Sequence, residues 1–201
     1  MLKTVLLTFS ILLSSVVDIS YKLPINTINR NRIGTLRLTE IGDFGLVRKE
    51  RPGVPEHFHT GIDIKRPSEN YHDEPIFPVS EGIIISMRQD GPFVQLIIEH
   101  SGDNKIWTVY EHIAGIEVNL FQRVSPDEPI ARFMNKNELD RYGWQFDHFH
   151  FELIKVQPVK LIPENSTPQR LFSSYTLMCH SQEDLSKYFY NPIEFFEVHL
   201  K

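Results

Sequence analysis

Cysteine is almost absent from this chain, since Cys179 is the only one among 201 residues. A single thiol excludes an internal disulfide, and it excludes a zinc site that is built from several cysteines. We therefore expect Cys179 to be a small buried apolar residue.

Positive charge is also scarce. The net charge is −5, the isoelectric point is near 6.0, and no run of basic residues is longer than two. Nucleic-acid-binding domains usually carry a basic face, so this composition argues against a nucleic-acid partner. The hydrophobic content of 41% and charged content of 23% are ordinary for a globular protein with room for one domain plus extensions.

Hydrophobic runs long enough to span a membrane are missing too. The uncharged stretch from Thr4 to Val17 has fourteen residues, whereas a transmembrane helix needs about 20. Because Lys3 precedes the stretch, it predicts a signal peptide over residues 1–17. An N-terminal core strand and an uncleaved anchor are the alternatives. The prediction implies an extracytoplasmic protein, periplasmic or secreted, without stable membrane insertion after cleavage.

Three further segments follow along the chain. Residues 18–43 are polar and predict a lead-in or linker. Residues 44–156 contain short β-branched runs between turn residues, which predicts a mainly β, compact antiparallel sandwich or barrel. Its predicted strands are Gly82–Met87, Phe93–Glu99, Lys105–Tyr110, Pro129–Phe133 and His148–Ile154. Residues 157–201 predict an extension with two short helices, at 185–190 and 193–198, packed on the sheet.

Histidines and acids are present in short motifs: His59-Thr-Gly-Ile-Asp63, Tyr110-Glu-His112 and His148-Phe-His150. Residues two or four apart on a strand share a face, so each motif can direct its side chains to one point. Catalytic zinc takes three protein ligands and keeps one position for water. A histidine and an aspartate from the first motif and a histidine from the last supply that set, and two histidines remain for proton transfer.

These motifs, in this order, resemble the lysostaphin/LytM-type zinc metallopeptidases, a peptidoglycan endopeptidase family with the duplicated hybrid motif fold. The resemblance rests on Phe44-Gly45, Arg48, His59 to Ile64, Trp107 to Ile113, and Asp147 to Glu152. It implies that His59, Asp63 and His150 bind one Zn²⁺ per chain. It also implies that His112 and His148 act on the metal-bound water, and that the substrate is a peptidoglycan peptide.

Some alternatives stay open at this stage. A member of the family can be a non-catalytic regulator or peptidoglycan-binding domain. The run His57-Phe-His59 with Asp63 also resembles a cupin metal motif, with His57 as a ligand, but it leaves His148 and His150 unexplained. The oligomeric state is not predicted.

The segment before the last motif departs from the family pattern. Asn135 to Asp147 replaces a Gly/Thr-rich loop, and Phe146-Asp147 replaces Gly-Pro. Asp147 either orients His148 or faces water, while Tyr142 and Trp144 either line the substrate groove or pack against it. The other histidines are expected in structural or surface roles: His72, His100, His180 and His199.

Overall fold

The computed structural model describes residues 20–102 and 105–200. The signal peptide predicted for residues 1–17 lies outside these ranges. Within them, the helices are too short and too polar for any to cross a bilayer.

Antiparallel strands dominate the described chain, which confirms the mainly β prediction. The strands are β1 (Val47–Arg48), β2 (His57–Phe58), β3 (Ile62–Lys65), β4 (Pro75–Ile76), β5 (Gly82–Arg88), β6 (Gln95–His100), β7 (Ile106–Glu111), β8 (Ile113–Ala114), β9 (Arg123–Val124), β10 (Ala131–Phe133), β11 (His148–Ile154), β12 (Val159–Lys160), β13 (Phe172–Ser173) and β14 (Phe189–Tyr190). The helices are α1 (Lys136–Tyr142), α2 (Gln182–Tyr188) and α3 (Pro192–His199).

One seven-stranded sheet organises the fold. Its order is β14-β11-β7-β6-β5-β9, and β3 pairs with the free half of β11 beside β14. In this register His150 lies opposite Asp63 on one side and opposite Glu111 on the other. Strand β11 therefore brings its histidines between the first and the second motif.

Strand β11 sends alternate side chains to opposite faces. Phe149 and Phe151 are fully buried in the main core, and the Phe151 ring stacks on Phe196 of α3 at 5.7 Å between centroids. His148 and His150 consequently point to the other face, as residues two apart on a strand must.

Both C-terminal helices begin directly after the capping residues that the sequence indicates. Helix α2 covers residues 182–188 instead of the predicted 185–190, because Phe189–Tyr190 pairs with β11 as β14. The Asp184 N–H donates to the Ser181 side chain over 3.0 Å, and the Ile193 N–H donates to Asn191 over the same distance. Pro192 occupies the first turn of α3, where its missing N–H costs nothing. Both helices bury aromatic or aliphatic side chains against the sheet: Leu185, Phe195 and Phe196.

Helix α1 was not predicted, because Asn135 to Asp147 was identified only as the segment that replaces the Gly/Thr-rich loop of the family pattern. The Asn135 side chain accepts from the Glu138 N–H at 3.0 Å, and the Glu138 carboxylate accepts from the Asn135 N–H at 2.7 Å. This capping box satisfies two backbone donors at once. The pattern Asn-x-x-Glu is present in the sequence and would have indicated the helix.

Residues 20–43 lie along the sheet. Leu23 and Ile25 are buried in the main core. Farther on, the Thr39 N–H donates to the Asp63 carbonyl at 3.0 Å, and the Asp63 N–H donates to the Gly42 carbonyl at 2.9 Å. The lead-in segment thus supplies backbone partners for β3 on its outer edge.

Candidate metal centre

His59 and Asp63 are positioned by a close approach between the backbone of the first motif and that of β11. Gly61 lies between His59 and Asp63, and a Cβ atom there would stand 2.2 Å from the Phe151 carbonyl oxygen. Only glycine can be accommodated at that distance. The approach brings the first motif against β11 and places Asp63 beside His150.

Three ligand atoms converge at this point. His59 Nε2 lies 3.0 Å from Asp63 Oδ1 and 2.9 Å from His150 Nδ1, and His150 Nδ1 lies 3.0 Å from Asp63 Oδ1. All three side chains are buried. A tetrahedral zinc with bonds of about 2.0–2.1 Å separates its ligand atoms by about 3.3 Å. The triangle is therefore close to the size that this ion requires.

The outer nitrogens of both rings fix which lone pairs face inward. His59 Nδ1 donates to the Asp43 carbonyl at 2.8 Å, and His150 Nε2 donates to the Glu152 carboxylate at 3.0 Å. In a neutral imidazole the other nitrogen then carries no hydrogen. With both rings neutral, His59 Nε2 and His150 Nδ1 would present their lone pairs to a metal ion beside Asp63 Oδ1, whereas in the metal-free protein a proton on His150 Nδ1 takes the place of the ion. The residues present fit a divalent zinc.

The electrostatics of the three residues point the same way. Burial alone raises the pKa of Asp63, but hydrogen bonds with His150 and His59 outweigh it and hold that pKa far below its usual range. Burial lowers the pKa of His150, yet its bonds to Asp63 and Glu152 raise it to about 10. The position between these side chains thus favours positive charge, and a proton competes with a metal ion for it.

Arg48 contacts the opposite side of the same carboxylate. Its Nη2 donates to Asp63 Oδ2 over 2.8 Å, and both side chains are largely buried. The charge-assisted bond leaves Oδ1 facing the two histidines and fixes the carboxylate plane.

His112 and His148 stand beside the three ligand residues. Their ring centroids are 5.5 Å apart, and His148 Nε2 is 3.7 Å from Asp63 Oδ1. His112 Nδ1 donates to the Pro92 carbonyl at 2.7 Å, which leaves its Nε2 as an acceptor. Burial lowers the pKa of each ring to about 4, so both are neutral at pH 7. Two uncharged imidazoles that can accept a proton therefore face the same space.

The backbone at His112 is in the left-handed region, with φ of 63°. Such a conformation is uncommon for a residue with a Cβ atom and costs of order 1–3 kcal/mol. It occurs between β7 and β8, where the chain turns and directs the imidazole towards β11.

Aromatic side chains border His112. The Phe146 ring lies 4.8 Å from the His112 ring and the Phe93 ring lies 5.8 Å from it, centroid to centroid. Phe93 is 42% exposed. Phe146 occupies the position where the family pattern has Gly-Pro, so this wall of the site is aromatic.

The remaining predicted candidates take other positions. His57 Nδ1 donates to the Pro55 carbonyl, and His57 is not in the described cluster of ligand atoms, so the cupin arrangement is not formed. Two roles were predicted for Asp147, orienting His148 or facing water. Its carboxylate instead accepts a hydrogen bond from Arg66 at 2.9 Å. Trp144 is 48% exposed and donates to Asp140.

The other histidines and the cysteine have the structural or surface positions expected of them. His100 is buried, and its ring forms hydrogen bonds with Ser80 and Thr108. His72 and His180 are exposed, and the His199 ring packs 4.3 Å from the Phe195 ring. Tyr142 packs on the small cluster around Leu139. Cys179 is buried, and burial raises the pKa of its thiol to about 12.

Several residues that support the site were not singled out from the sequence. They surround the carboxylate of Glu152, and they are Thr60, Ser174 and Thr176. A period-two pattern places Glu152 on the histidine face of β11, but no sequence signal relates it to residues 174 and 176.

The chain was compared with known proteins. A family model described as Peptidase family M23 matches residues 57–162, more than half of the chain. No curated protein matches significantly. Among solved structures, a zinc-containing peptidase from Vibrio cholerae is 22% identical with a TM-score of 0.47, over 67% of this chain and 36% of that one. A chain of a SpoIIIAH–SpoIIQ complex is 16% identical with a TM-score of 0.48, and the match covers 68% of this chain and 92% of that one. A mutant catalytic domain of the prophage-encoded M23 protein EnpA from Enterococcus faecalis is 22% identical with a TM-score of 0.42, and the match covers 69% of this chain and 87% of that one.

Proposed function

Because the chain belongs to peptidase family M23, we propose that it is a zinc metalloendopeptidase that hydrolyses peptide bonds of bacterial cell-wall peptidoglycan. The observation that carries this proposal is the triangle of His59, Asp63 and His150, whose ligand atoms lie about 3 Å apart with their lone pairs inward. A bound zinc would supply the Lewis acid for attack of water on a peptide carbonyl.

The two neighbouring imidazoles supply the proton chemistry. His112 keeps Nε2 free of hydrogen through its bond to the Pro92 carbonyl, so it can accept a proton from the attacking water. His148 lies beside His112 and Asp63 and is neutral, so its N–H can donate to the oxygen that develops negative charge. The aromatic wall at Phe93 and Phe146 limits the access of bulk water to His112.

The family supports the proposed peptidoglycan substrate, and the family together with the predicted signal peptide supports the proposed location outside the cytoplasm. The net charge of −5 disfavours a polyanionic substrate. We also propose residues 44–156 as the catalytic domain, with residues 157–201 as an extension packed on it.

Replacement of the five site residues tests the division of roles. His59→Ala, Asp63→Ala and His150→Ala should each abolish zinc retention and activity, since each removes a ligand atom. His112→Ala and His148→Ala should retain zinc and lower turnover about 10²- to 10⁴-fold. Zinc is measured by metal analysis and turnover with cross-linked muropeptides, and His57→Ala is the matched control.

The same assay separates an enzyme from a non-catalytic relative. The wild-type protein should cleave muropeptides, and a zinc chelator should stop the cleavage. Binding of muropeptides without cleavage, in protein that contains one zinc per chain, would replace the proposal by the regulator alternative. Loss of zinc in His112→Ala would show that this residue is a ligand.

A further inference from the structure

Glu152 is a buried carboxylate that faces hydroxyl groups and an imidazole. It is 1% exposed. Its Oε1 accepts from Thr60 at 2.5 Å, from Thr176 at 2.7 Å and from His150 Nε2 at 3.0 Å. Its Oε2 accepts from Ser174 at 2.5 Å. A carboxylate has about four lone-pair sites, so these four donors satisfy it.

Two of the four donors come from a segment that the family model does not include. Ser174 and Thr176 belong to residues 172–180, which we call the strap, whereas the family match ends at residue 162. Thr60 and His150, by contrast, belong to the metal-site motifs. A segment outside the peptidase core therefore supplies half of the hydrogen bonds to this carboxylate.

The strap is fixed at both ends. The Ser86 hydroxyl donates to the Phe172 carbonyl at 3.0 Å, and the Phe58 N–H donates to the Cys179 carbonyl at 2.8 Å. Between these anchors the Tyr175 ring stacks on Tyr188 with 4.2 Å between centroids. The hydroxyls at 174 and 176 are thus held in place against Glu152.

We infer that Ser174 and Thr176 are positioning residues for the zinc site and act through Glu152 on His150. The inference rests on the proposed function, because it assumes that His150 Nδ1 binds the metal. With the two hydroxyls in place, the Glu152 carboxylate is held in the orientation in which it accepts from His150 Nε2, so that Nδ1 faces His59 and Asp63. Without them the carboxylate loses two of its four hydrogen bonds, and it gains by turning from His150 towards other donors.

The test compares zinc affinity in the full-length chain. We expect the double variant Ser174→Ala/Thr176→Val to bind zinc about 10- to 100-fold more weakly, the usual effect of losing a partner of a metal-bound histidine. The conservative variant Thr176→Ser keeps the hydroxyl and should retain wild-type affinity. Ser173→Ala is the matched control, since its hydroxyl donates to the Ser174 carbonyl at 3.4 Å. Affinities are measured by competition with a chromogenic chelator, and thermal unfolding of the metal-free proteins checks their fold.

A second readout reports on the imidazole directly. Proton and nitrogen NMR of the zinc-saturated proteins should show the Nε2 hydrogen of His150 in a strong hydrogen bond to Glu152 in the wild type and in a weaker one in the double variant. Should the double variant not fold, each single variant is expected to show a smaller loss of affinity. Equal affinities in the wild type and in folded variants would overturn this inference alone. A wild type that binds no zinc would overturn the proposed function and this inference with it.

Discussion

At the scale of single residues, the site depends on one glycine as much as on its histidines. A Cβ atom at Gly61 would stand 2.2 Å from the Phe151 carbonyl oxygen and 2.9 Å from His150 Cε1. Neither atom can yield without moving β11, because Phe151 is fixed in the core and His150 in its bonds to Asp63 and Glu152.

We therefore expect Gly61→Ala to lower the free energy of unfolding by about 1–3 kcal/mol, as overpacking does, and to weaken zinc binding. Gly34→Ala is the matched control, since a Cβ atom there meets nothing within 4 Å; its stability should stay within about 1 kcal/mol of the wild type. Chemical denaturation and a zinc titration measure the two effects. Equal behaviour of the two variants would show that the backbones can separate at no cost.

The candidate site residues were identified from the sequence by the spacing within the motifs and by the resemblance of the ordered motifs to the peptidase family. His150 follows His148 by two positions, so strand periodicity directs both rings to one face of β11. His59 lies outside the strands, and the pairing of β3 with β11 brings the first motif to these rings. The supporting contacts follow a different rule. Ser174 and Thr176 reach Glu152 only because the chain returns across the sheet after 20 residues or more, and no local pattern encodes that return.

At the scale of elements, strand β11 was predicted from the sequence and helix α1 was not. The strand was predicted with its observed ends, since its alternation of histidine and phenylalanine is strict. The helix was missed because its seven residues contain a single buried position, Leu139, which is too little apolar periodicity to detect. Its capping box was the available signal.

That capping box predicts a measurable contribution to stability. Asn135→Ala removes the side-chain acceptor of the Glu138 N–H and should lower the free energy of unfolding by about 1 kcal/mol. Asn137→Ala makes the same substitution two residues later at an exposed position of α1, where alanine is the better helix former, so it should be neutral or slightly stabilising. Denaturant unfolding of both variants checks the difference. If both variants unfolded alike, the cap would contribute nothing.

At the scale of the whole molecule, segments on both sides of the family match share its core. Leu23 and Ile25 precede residue 57, Phe195 and Phe196 follow residue 162, and all four are buried in the same cluster. Tyr21 forms a bridge to Leu200 and packs its ring on Phe195 at 5.0 Å. The described ends of the chain thus meet, a contact that was not predicted because neither segment has a strong periodic pattern.

The fold as a whole should lose stability in acid, partly through His100. This buried ring lies within hydrogen-bond distance of Ser80, the Glu81 carbonyl and Thr108, and burial lowers its pKa to about 4. The unfolded chain binds the proton near pH 6.5, so the contribution of His100 is complete above that pH and declines as the pH falls to 4. Over this interval it amounts to about 3 kcal/mol.

We expect the free energy of unfolding of His100→Gln to fall less steeply than that of the wild type between pH 6.5 and 4, since the variant has no imidazole to protonate there. Its stability at pH 8 should be lower, because the hydrogen bonds are imperfectly replaced. His72→Gln, which changes an exposed histidine, serves as the control and should give a curve parallel to the wild type. Denaturant unfolding of the wild type and both variants at a series of pH values measures how steeply the free energy of unfolding of each falls. A His100→Gln curve that is also parallel would mean that the buried ring takes up its proton without disturbing the sheet.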